Sequence, residues 1–270
     1  IVNKKTTLNE AIFVHSLFRS GSTYFYNALK RTKLFHVYHE PFHEAIGSLP
    51  SAWNEWVGKT EDFKKLLRHD FLDGSYFDEY GHFLSVIKKT FDPSISYELF
   101  FLNKQSHSNI LSLYIDCLIN AACLTPVFQC TRTIGRIEWL KEHYPSKHIF
   151  LLRNPWDQWY SYKVDNYISS TPQIIYSQPT VPTVLRDIMT ACDFQQLPNV
   201  DLSSQLEYCF LHPLLPEVDY FLFFGLWIYS FATAHSNCDL VIDMDNIGRS
   251  ESARVAVEKD LCNIGLNNVN

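Results

Sequence analysis

Apolar residues in this chain fall into four short runs, each followed by a turn and a helical pattern. The runs cover residues 11–17 (AIFVHSL), 126–131 (PVFQCT), 148–152 (HIFLL) and 239–244 (DLVIDM). Runs of this length that are rich in β-branched and aromatic residues are typical of buried strands. Their alternation with helices predicts an α/β fold, with a central parallel sheet and helices on both of its faces.

Helical patterns occupy much of the chain outside these runs. They cover residues 62–71, 82–90 and 109–124 between the first two strands, and residues 156–166 after the third strand. The most apolar stretch, residues 220–234, is shorter than the roughly 20 residues that a membrane-crossing helix needs. We predict that this stretch is a buried core helix and that the chain has no transmembrane segment.

The segment of residues 171–216 is rich in Pro, Ser, Thr and Gln and interrupts the alternation of strands and helices. Long insertions with many turn residues line substrate clefts more often than they build core. We therefore expect a single domain over residues 1–270, in which this insertion lines the cleft for an acceptor. The chain begins at Ile1 rather than Met and stops without a closing element, so we also expect that one or both ends have been cut back.

The composition describes a globular protein without a large basic surface. The 270 residues carry 23 Lys and Arg against 29 Asp and Glu, which gives a net charge of -6. Nucleic-acid binding rests on clustered Lys and Arg, so we expect no nucleic-acid partner, and any anion site must be local. The 7 cysteines have no CxxC spacing and predict neither a zinc site nor a disulfide framework. This usage favours a cytoplasmic location, with the Golgi lumen as the alternative if an N-terminal anchor has been removed.

A loop of small polar residues follows the first strand and precedes a helix; it reads Arg19-Ser20-Gly21-Ser22-Thr23. Gly21 lets backbone N–H groups approach a phosphate closely, while the hydroxyls and the guanidinium add donors. The same residues would also suit an ordinary N-cap turn. The loop lacks the Lys that directly precedes Ser or Thr in the GxxxxGK[ST] loop, which disfavours ATP or GTP hydrolysis.

A second segment that suits an anion follows the third strand. Asn154 and Pro155 are a good N-cap and first helical residue, and Arg153 precedes them at the carboxyl end of a strand, where ligands bind in open α/β sheets. Ser161 lies about 9 Å further along the helix at 1.5 Å per residue. Arg153 and Ser161 could hold one phosphate from two sides, or they could be a capping Arg and an incidental helical Ser.

Together, FRSGST and LLRNPWDQWYSYKVDN closely resemble the 5′-phosphosulfate loop and the 3′-phosphate motif of the PAPS-dependent sulfotransferase family, PAPS being 3′-phosphoadenosine-5′-phosphosulfate. The resemblance covers most of the chain as a pattern and is specific in about forty residues. It implies a P-loop NTPase-like sulfotransferase fold, with PAPS as the sulfuryl donor and PAP as the product. The nucleotide-binding residues that it implies are Arg19, Ser20, Gly21, Ser22, Thr23, Tyr24, Arg153 and Ser161.

Sulfuryl transfer needs a base that accepts the proton of the acceptor hydroxyl, and this chemistry requires no metal. The stretch FQCTR lacks the His that cytosolic members use, and Arg19 stands where they usually carry Lys. The chain therefore looks closer to Golgi-type and bacterial carbohydrate or tyrosylprotein sulfotransferases, some of which use a Glu after the loop helix. In HVYHEPFHE, Glu40 matches that Glu best. The competing candidates in that stretch are His39, His43 and Glu44.

Two further expectations concern the chemistry around Glu40. The proline ring of Pro41 should hold Glu40 extended, so that its carboxylate projects into a cleft. Arg19, as part of the loop, and Arg132, after the second predicted strand, are candidate cations for the charge that grows on the leaving group.

We therefore expect a sulfotransferase that moves the sulfuryl group of PAPS in line to an acceptor hydroxyl, with Glu40 as the general base. A carbohydrate acceptor is favoured over a peptide tyrosine or a small molecule. Two alternatives stay open, namely a P-loop kinase or NTPase that uses ATP and magnesium, and a nucleotide-binding module without catalytic activity.

Overall fold

The structure is a computed structural model that describes residues 10–48, 77–163 and 166–266. The predicted helix over residues 62–71 lies outside these ranges. Within them, helices flank a sheet of five strands that are all parallel. The predicted α/β fold with a central parallel sheet is therefore confirmed.

The strands of the sheet are β1 (Ala11–Ser16), β2 (Phe35–His39), β3 (Thr125–Cys130), β4 (Ser146–Leu152) and β5 (Leu240–Asp243). They pair in the order β2-β3-β1-β4-β5, which makes β1 the central strand. Phe13 of β1 lies opposite Phe128 of β3 on one side and His148 of β4 on the other. Every residue of β1 is buried, as expected for a strand with neighbours on both edges and helices on both faces.

Helices lie in the connections between the strands and after β5. The α-helices are α1 (Ser22–Thr32), α2 (Ala45–Ser48), α3 (Leu84–Thr90), α4 (Asn109–Ala121), α5 (Ile137–His143), α6 (Pro155–Tyr162), α7 (Asn166–Tyr176), α8 (Thr183–Ala191), α9 (Leu202–Leu211), α10 (Pro216–Asn237), α11 (Met244–Arg249) and α12 (Glu251–Asn263). Short 3-10 helices cover Asp78–Phe83, Pro93–Ile95 and Ile134–Arg136.

Successive residues of β4 pack into different hydrophobic clusters, because side chains of a strand alternate between the two faces of a sheet. Ile149 and Leu151 belong to a cluster with residues of α1 and α4, whereas Phe150 belongs to one with residues of α7, α8 and α10. The helices therefore cover both faces of the sheet, as predicted.

None of the four strands predicted from the sequence corresponds to β2. Its sequence FHVYH contains two histidines and no apolar run, yet it pairs with β3 along its whole length. Val37 and Tyr38 are buried, and the Tyr38 hydroxyl donates to Leu118 O at 2.7 Å. Tertiary pairing, rather than local hydrophobicity, makes this segment a strand.

The extents of two predicted helices are also wrong. The pattern over residues 156–166 forms the end of one helix and the start of another, since α6 ends at Tyr162 and α7 begins at Asn166. The helix predicted over residues 109–124 ends at Ala121. The segment of residues 171–216 includes the end of α7 together with α8 and α9, so it is largely helical.

Helix α10 contains the apolar stretch of residues 220–234, but it is buried on one side only. Leu222 and Phe223 are fully buried, whereas Phe221 and Ile228 are 46% and 48% exposed. The prediction of a buried core helix is therefore wrong for the outer face. In the described ranges, no helix combines the length and the apolarity needed to cross a membrane.

Two buried histidines form a hydrogen-bonded pair between β1 and β4. His15 Nε2 lies 2.9 Å from His148 Nδ1, and the two rings are stacked. Their outer nitrogens contact Thr133 Oγ1 and Ser146 Oγ, each at 2.8 Å. Burial lowers the pKa of His148 to about 4 and places the pKa of His15 well below its usual value, so both rings are neutral at neutral pH.

We expect the protein to lose stability as the pH falls below about 6.5, because the unfolded His148 then binds a proton that the folded ring does not. A folded pKa of about 4 for His148 corresponds to a loss of about 2 kcal/mol between pH 7.5 and pH 5. Urea unfolding at both pH values should show a smaller loss in His148→Gln. The control His107→Gln, at an exposed histidine, should keep the wild-type loss. Identical losses in His148→Gln and the wild type would contradict the neutral buried pair.

Candidate functional site

The candidate site residues lie just beyond the ends of four strands. Arg19 follows β1, Glu40 follows β2, Arg132 follows β3 and Arg153 follows β4. Parallel strands have their carboxyl ends at one edge of the sheet, so these residues come together there. From the adjacent strands β1 and β4 the chain proceeds in opposite directions, towards β2 and β5, and ligands of open α/β sheets bind in the crevice at such a point.

The loop after β1 has an unusual backbone at two positions. Arg19 and Gly21 have φ angles of 61° and 87°, both in the left-handed region. Gly21 is the N-cap of α1 and offers no side chain to cap the helix, while Lys30 and Arg31 lie in its last turn. The positive end of the helix dipole is therefore directed at the crevice and is not offset by an acidic side chain of the first turn.

The hydroxyl of Ser20 is unsatisfied within the described residues. Its Oγ is buried and forms no hydrogen bond there. A buried polar group in this condition costs roughly 1–3 kcal/mol. Because Ser20 adjoins Gly21 at the start of α1, its hydroxyl is well positioned to donate to an anionic oxygen.

The two predicted anion-binding segments are in direct contact. Arg153 Nη1 donates to Arg19 O at 2.8 Å, and Arg19 Nε donates to Ser161 Oγ at 3.0 Å. Asn154 caps α6 with its side chain and Pro155 begins the helix, as predicted. The structure therefore brings together Arg19, Arg153 and Ser161, which are far apart in the sequence.

Asp245, at the start of α11, fixes the second segment from the β5 side. Its Oδ2 accepts from Asn154 N at 2.6 Å, and its Oδ1 lies 3.7 Å from Arg153 Nε. Trp227 Nε1 donates to Arg153 O at 3.0 Å. These contacts hold the backbone and the guanidinium of Arg153 beside the loop.

A pocket of about 480 Å³ lies beside the loop and has a positive lining. Its lining includes Ser20, Gly21, Tyr24, Arg153, Asp245, Arg249 and Arg254. Three arginines thus face a single carboxylate in a chain whose net charge is -6. This local excess of positive charge suits an anion although the chain as a whole is negative.

Arg249 and Arg254 are not among the residues predicted from the sequence. Both follow β5, and the carboxyl end of a parallel strand adjoins the crevice. Their position after β5 was the signal in the sequence that could have identified them, because neither residue belongs to a recognisable local motif.

A smaller pocket of about 40 Å³ shares the loop as part of its wall. Arg19, Ser22 and Thr23 line it together with His39 and Glu40. The loop therefore separates the predicted base candidates from the arginine-rich pocket. Two of the predicted site residues line neither pocket, namely Ser161, which contacts Arg19, and Glu44, which pairs with Arg132; the others line one pocket or the other.

Glu40 does not have the extended conformation that its position before Pro41 predicts. Its φ angle is 47°, in the left-handed region. Glu40 N donates to Gln129 O at 2.8 Å, and Glu40 O accepts from His43 N at 3.0 Å. These bonds form a turn at the end of β2 that outweighs the steric preference of a residue before proline.

The buried carboxylate of Glu40 is bound to the end of β3. Oε2 accepts from the N and Oγ1 atoms of Thr131 at 3.1 and 2.9 Å, and it pairs with Arg132 Nη1 at 3.1 Å. Among the described residues, Oε1 accepts only from Gln129 Nε2, at 3.3 Å. Oε1 therefore keeps the capacity to accept a further hydrogen bond.

Arg132 is fully buried and bridges the carboxylates of Glu40, which lines the smaller pocket, and Glu44, which does not. Its Nη2 lies 2.9 Å from Glu44 Oε2 and donates to the hydroxyls of Tyr167 and Tyr97 at 2.7 and 3.4 Å. Burial alone would raise the pKa of Glu44, but the charge of Arg132 opposes it, and the pKa falls to about 2. These contacts make Arg132 a positioning residue for Glu40, and its role towards a leaving group stays a prediction.

His39 and His43, the competing base candidates, also line the smaller pocket and are buried. The ring of His39 packs against that of Tyr26, with centroids 4.5 Å apart. His43 Nδ1 accepts from Ala45 N at 3.1 Å. Both rings are therefore held in place by neighbouring groups, and neither is eliminated as a base.

No group of three or more His, Cys, Asp or Glu side chains in the described parts of the chain could hold a metal ion. Comparison of the chain with protein-family models, curated proteins and solved structures finds no match in any of the three. The function must therefore be argued from the site itself.

Gly21→Ala should lower the free energy of unfolding by about 1 kcal/mol or more, because alanine is strained in the left-handed region. An added Cβ would also lie 3.1 Å from Met244 Cε. The control is Gly248→Ala in α11, where an added Cβ meets nothing within 4 Å. Alanine should be neutral or stabilising there, since it is the better helix former. Urea unfolding measures the free energy of unfolding of both variants. Equal changes in Gly21→Ala and Gly248→Ala would contradict the left-handed backbone of Gly21.

Proposed function

We propose that this protein is a sulfotransferase that binds PAPS beside the loop and transfers its sulfuryl group to an acceptor hydroxyl. The observation that carries the proposal is the contact between the two anion-binding segments, in which Arg19 bonds to both Arg153 and Ser161. A site for one phosphate needs only the loop. A second cationic segment beside it suits a ligand with two separated anionic groups.

The residues present fit such a nucleotide. The unsatisfied Ser20 hydroxyl and the uncapped start of α1 suit the 5′-phosphosulfate, together with the loop residues Gly21, Ser22 and Thr23. Arg153, in the larger pocket, would hold the 3′-phosphate together with Ser161, which lies behind Arg19, and Arg249 and Arg254 add positive charge to the larger pocket. Tyr24, which is 56% exposed in that pocket, offers a flat aromatic face to the base.

PAPS supplies an activated sulfuryl group when it is bound. In the proposed reaction, Glu40 Oε1 accepts the proton of the acceptor hydroxyl, while Thr131 and Arg132 hold Oε2 and thereby orient the carboxylate. The Arg19 guanidinium and the backbone N–H groups of the loop provide positive charge for the leaving group. Burial of the smaller pocket limits the access of water to the transfer.

A kinase or NTPase is less well supported, because no Lys precedes the Ser or Thr of the loop. A module that binds the nucleotide without turnover has the same pockets, and only an assay of transfer distinguishes it. The acceptor, with a carbohydrate favoured, and the cytoplasmic location are also parts of this proposal.

PAP should raise the melting temperature, by about 5 °C at a concentration 100 times its Kd, because a ligand of the native state stabilises it by mass action. Arg153→Ala and Ser161→Ala should reduce this shift. The matched control Ser203→Ala removes an exposed helical serine in α9 and should leave it unchanged. Stabilisation by ATP with magnesium but not by PAP would favour the kinase and overturn the proposal.

Glu40→Gln should lower kcat by ~10²–10⁴-fold, because the base is lost while the side chain keeps its shape. Labelled PAPS with a panel of sugars, tyrosine peptides, steroids and phenols measures the transfer. Glu44→Gln is the matched control, since it removes the other carboxylate partner of Arg132, and it should cost less. The melting shift with PAP should persist in both variants.

Equal losses in Glu40→Gln and Glu44→Gln would assign Glu40 a structural role through Arg132. Full activity in Glu40→Gln would mean that another residue is the base. The variant His39→Ala would then test whether His39 is that residue. PAP binding without transfer to any acceptor of the panel would favour the non-catalytic module.

A further inference from the structure

A separate cleft of about 820 Å³ lies between the short 3-10 helix Pro93–Ile95 and the segment that joins α7, α8 and α9. Its volume falls in the range of roughly 300–1,000 Å³ that is typical of ligand sites. The walls are formed by residues 93–98 on one side and by residues between 177 and 205 on the other.

Three glutamines in this wall each direct one amide N–H to a backbone carbonyl, and the contact of the exposed Gln196 is the longest of the three. The donors are Gln178, Gln196 and Gln205, and the acceptors are the O atoms of Ile174, Tyr176 and Pro198 at 2.7, 3.5 and 3.0 Å. In each side chain, Oε1 accepts no hydrogen bond from a described residue. Each amide therefore offers an acceptor and a second N–H to a ligand, and the two shorter bonds hold Gln178 and Gln205 in place.

The charged side chains of the cleft do not form a cationic cluster. Arg186 is accompanied by Glu98 and Asp201, so the lining has a small excess of negative charge. Arg186 also donates to Thr183 Oγ1 at 3.0 Å, and Asp201 caps α9. A polyanionic chain would be repelled here, whereas uncharged hydroxyl groups would find both donors and acceptors.

Tyr97 connects the cleft to the smaller pocket at the loop. Tyr97 lines the cleft, and its hydroxyl lies 3.4 Å from both Arg132 Nη2 and the Tyr167 hydroxyl. Arg132 and Tyr167 both line the smaller pocket. One side chain therefore contacts the residues of both cavities.

We infer that this cleft binds an uncharged, polyhydroxylated ligand, namely a chain of neutral sugar units that forms the distal part of the acceptor. That this ligand is an acceptor rests on the proposed function, whereas its chemical class follows from the residues of the cleft. Sugar hydroxyls both donate and accept hydrogen bonds, as the amides require. Pro93 and Pro179 add apolar surface for the faces of sugar rings.

The test is isothermal titration of the whole chain with maltotetraose, with the tetramer of N-acetylglucosamine and with anionic tetragalacturonate. At least one neutral tetramer should bind, and tetragalacturonate should not. The double variant Gln196→Ala with Gln205→Ala should weaken binding about tenfold, because two sets of hydrogen bonds are lost. The matched control Gln195→Ala removes an adjacent amide that bonds to Asp193 Oδ1 at 3.3 Å and does not line the cleft. It should bind as the wild type does.

The inference is overturned if neither neutral tetramer binds at millimolar concentration, or if the double variant binds as tightly as the wild type. Stronger binding of tetragalacturonate or of an acidic tyrosine peptide would overturn it too. The melting shift with PAP separates this result from the proposed function. A shift without sugar binding removes the cleft inference alone, whereas sugar binding without a shift removes the sulfotransferase and leaves a saccharide site.

Discussion

The parallel pairing of β1 with β3 on one edge and β4 on the other is the constraint on which the site depends. It aligns the carboxyl ends of strands that are far apart in sequence, so that the loop after β1 meets Glu40, Arg132 and Arg153. The neutral pair of His15 and His148 links β1 to β4 inside the sheet without burying a charge. A change in this pairing would separate Arg19 from Arg153 and Ser161.

Arg132 shows how the site accommodates buried charge. A buried guanidinium needs pairing and hydrogen bonds, and here Glu40, Glu44, Tyr97 and Tyr167 supply them to its two Nη atoms. These contacts join the end of β3 to the residues after β2, to the segment after the 3-10 helix Pro93–Ile95 and to α7. The arrangement therefore gives Glu40 a fixed orientation at the cost of making its environment sensitive to any change in Arg132.

The parts of the site that were predictable from the sequence have local signatures. Small residues after a strand indicated the loop, and Asn154 with Pro155 indicated the start of α6 beside Arg153. The remainder depends on contacts between distant segments. Strand β2 forms because β3 lies beside it, and the backbone of Glu40 is held in its turn by a bond from its N–H to the distant Gln129 O. No window of sequence around either contains that information.

The loop belongs to two pockets at once, since Ser20 and Gly21 face one of them while Arg19, Ser22 and Thr23 face the other. Consecutive residues cannot move independently, so a ligand that adjusts the backbone in one pocket also changes the shape of the other. Any such effect is reciprocal, because thermodynamic linkage requires each of two ligands to alter the affinity of the other by the same factor. The shared wall thus makes the coupling between the two pockets a property of five consecutive residues, Arg19 to Thr23.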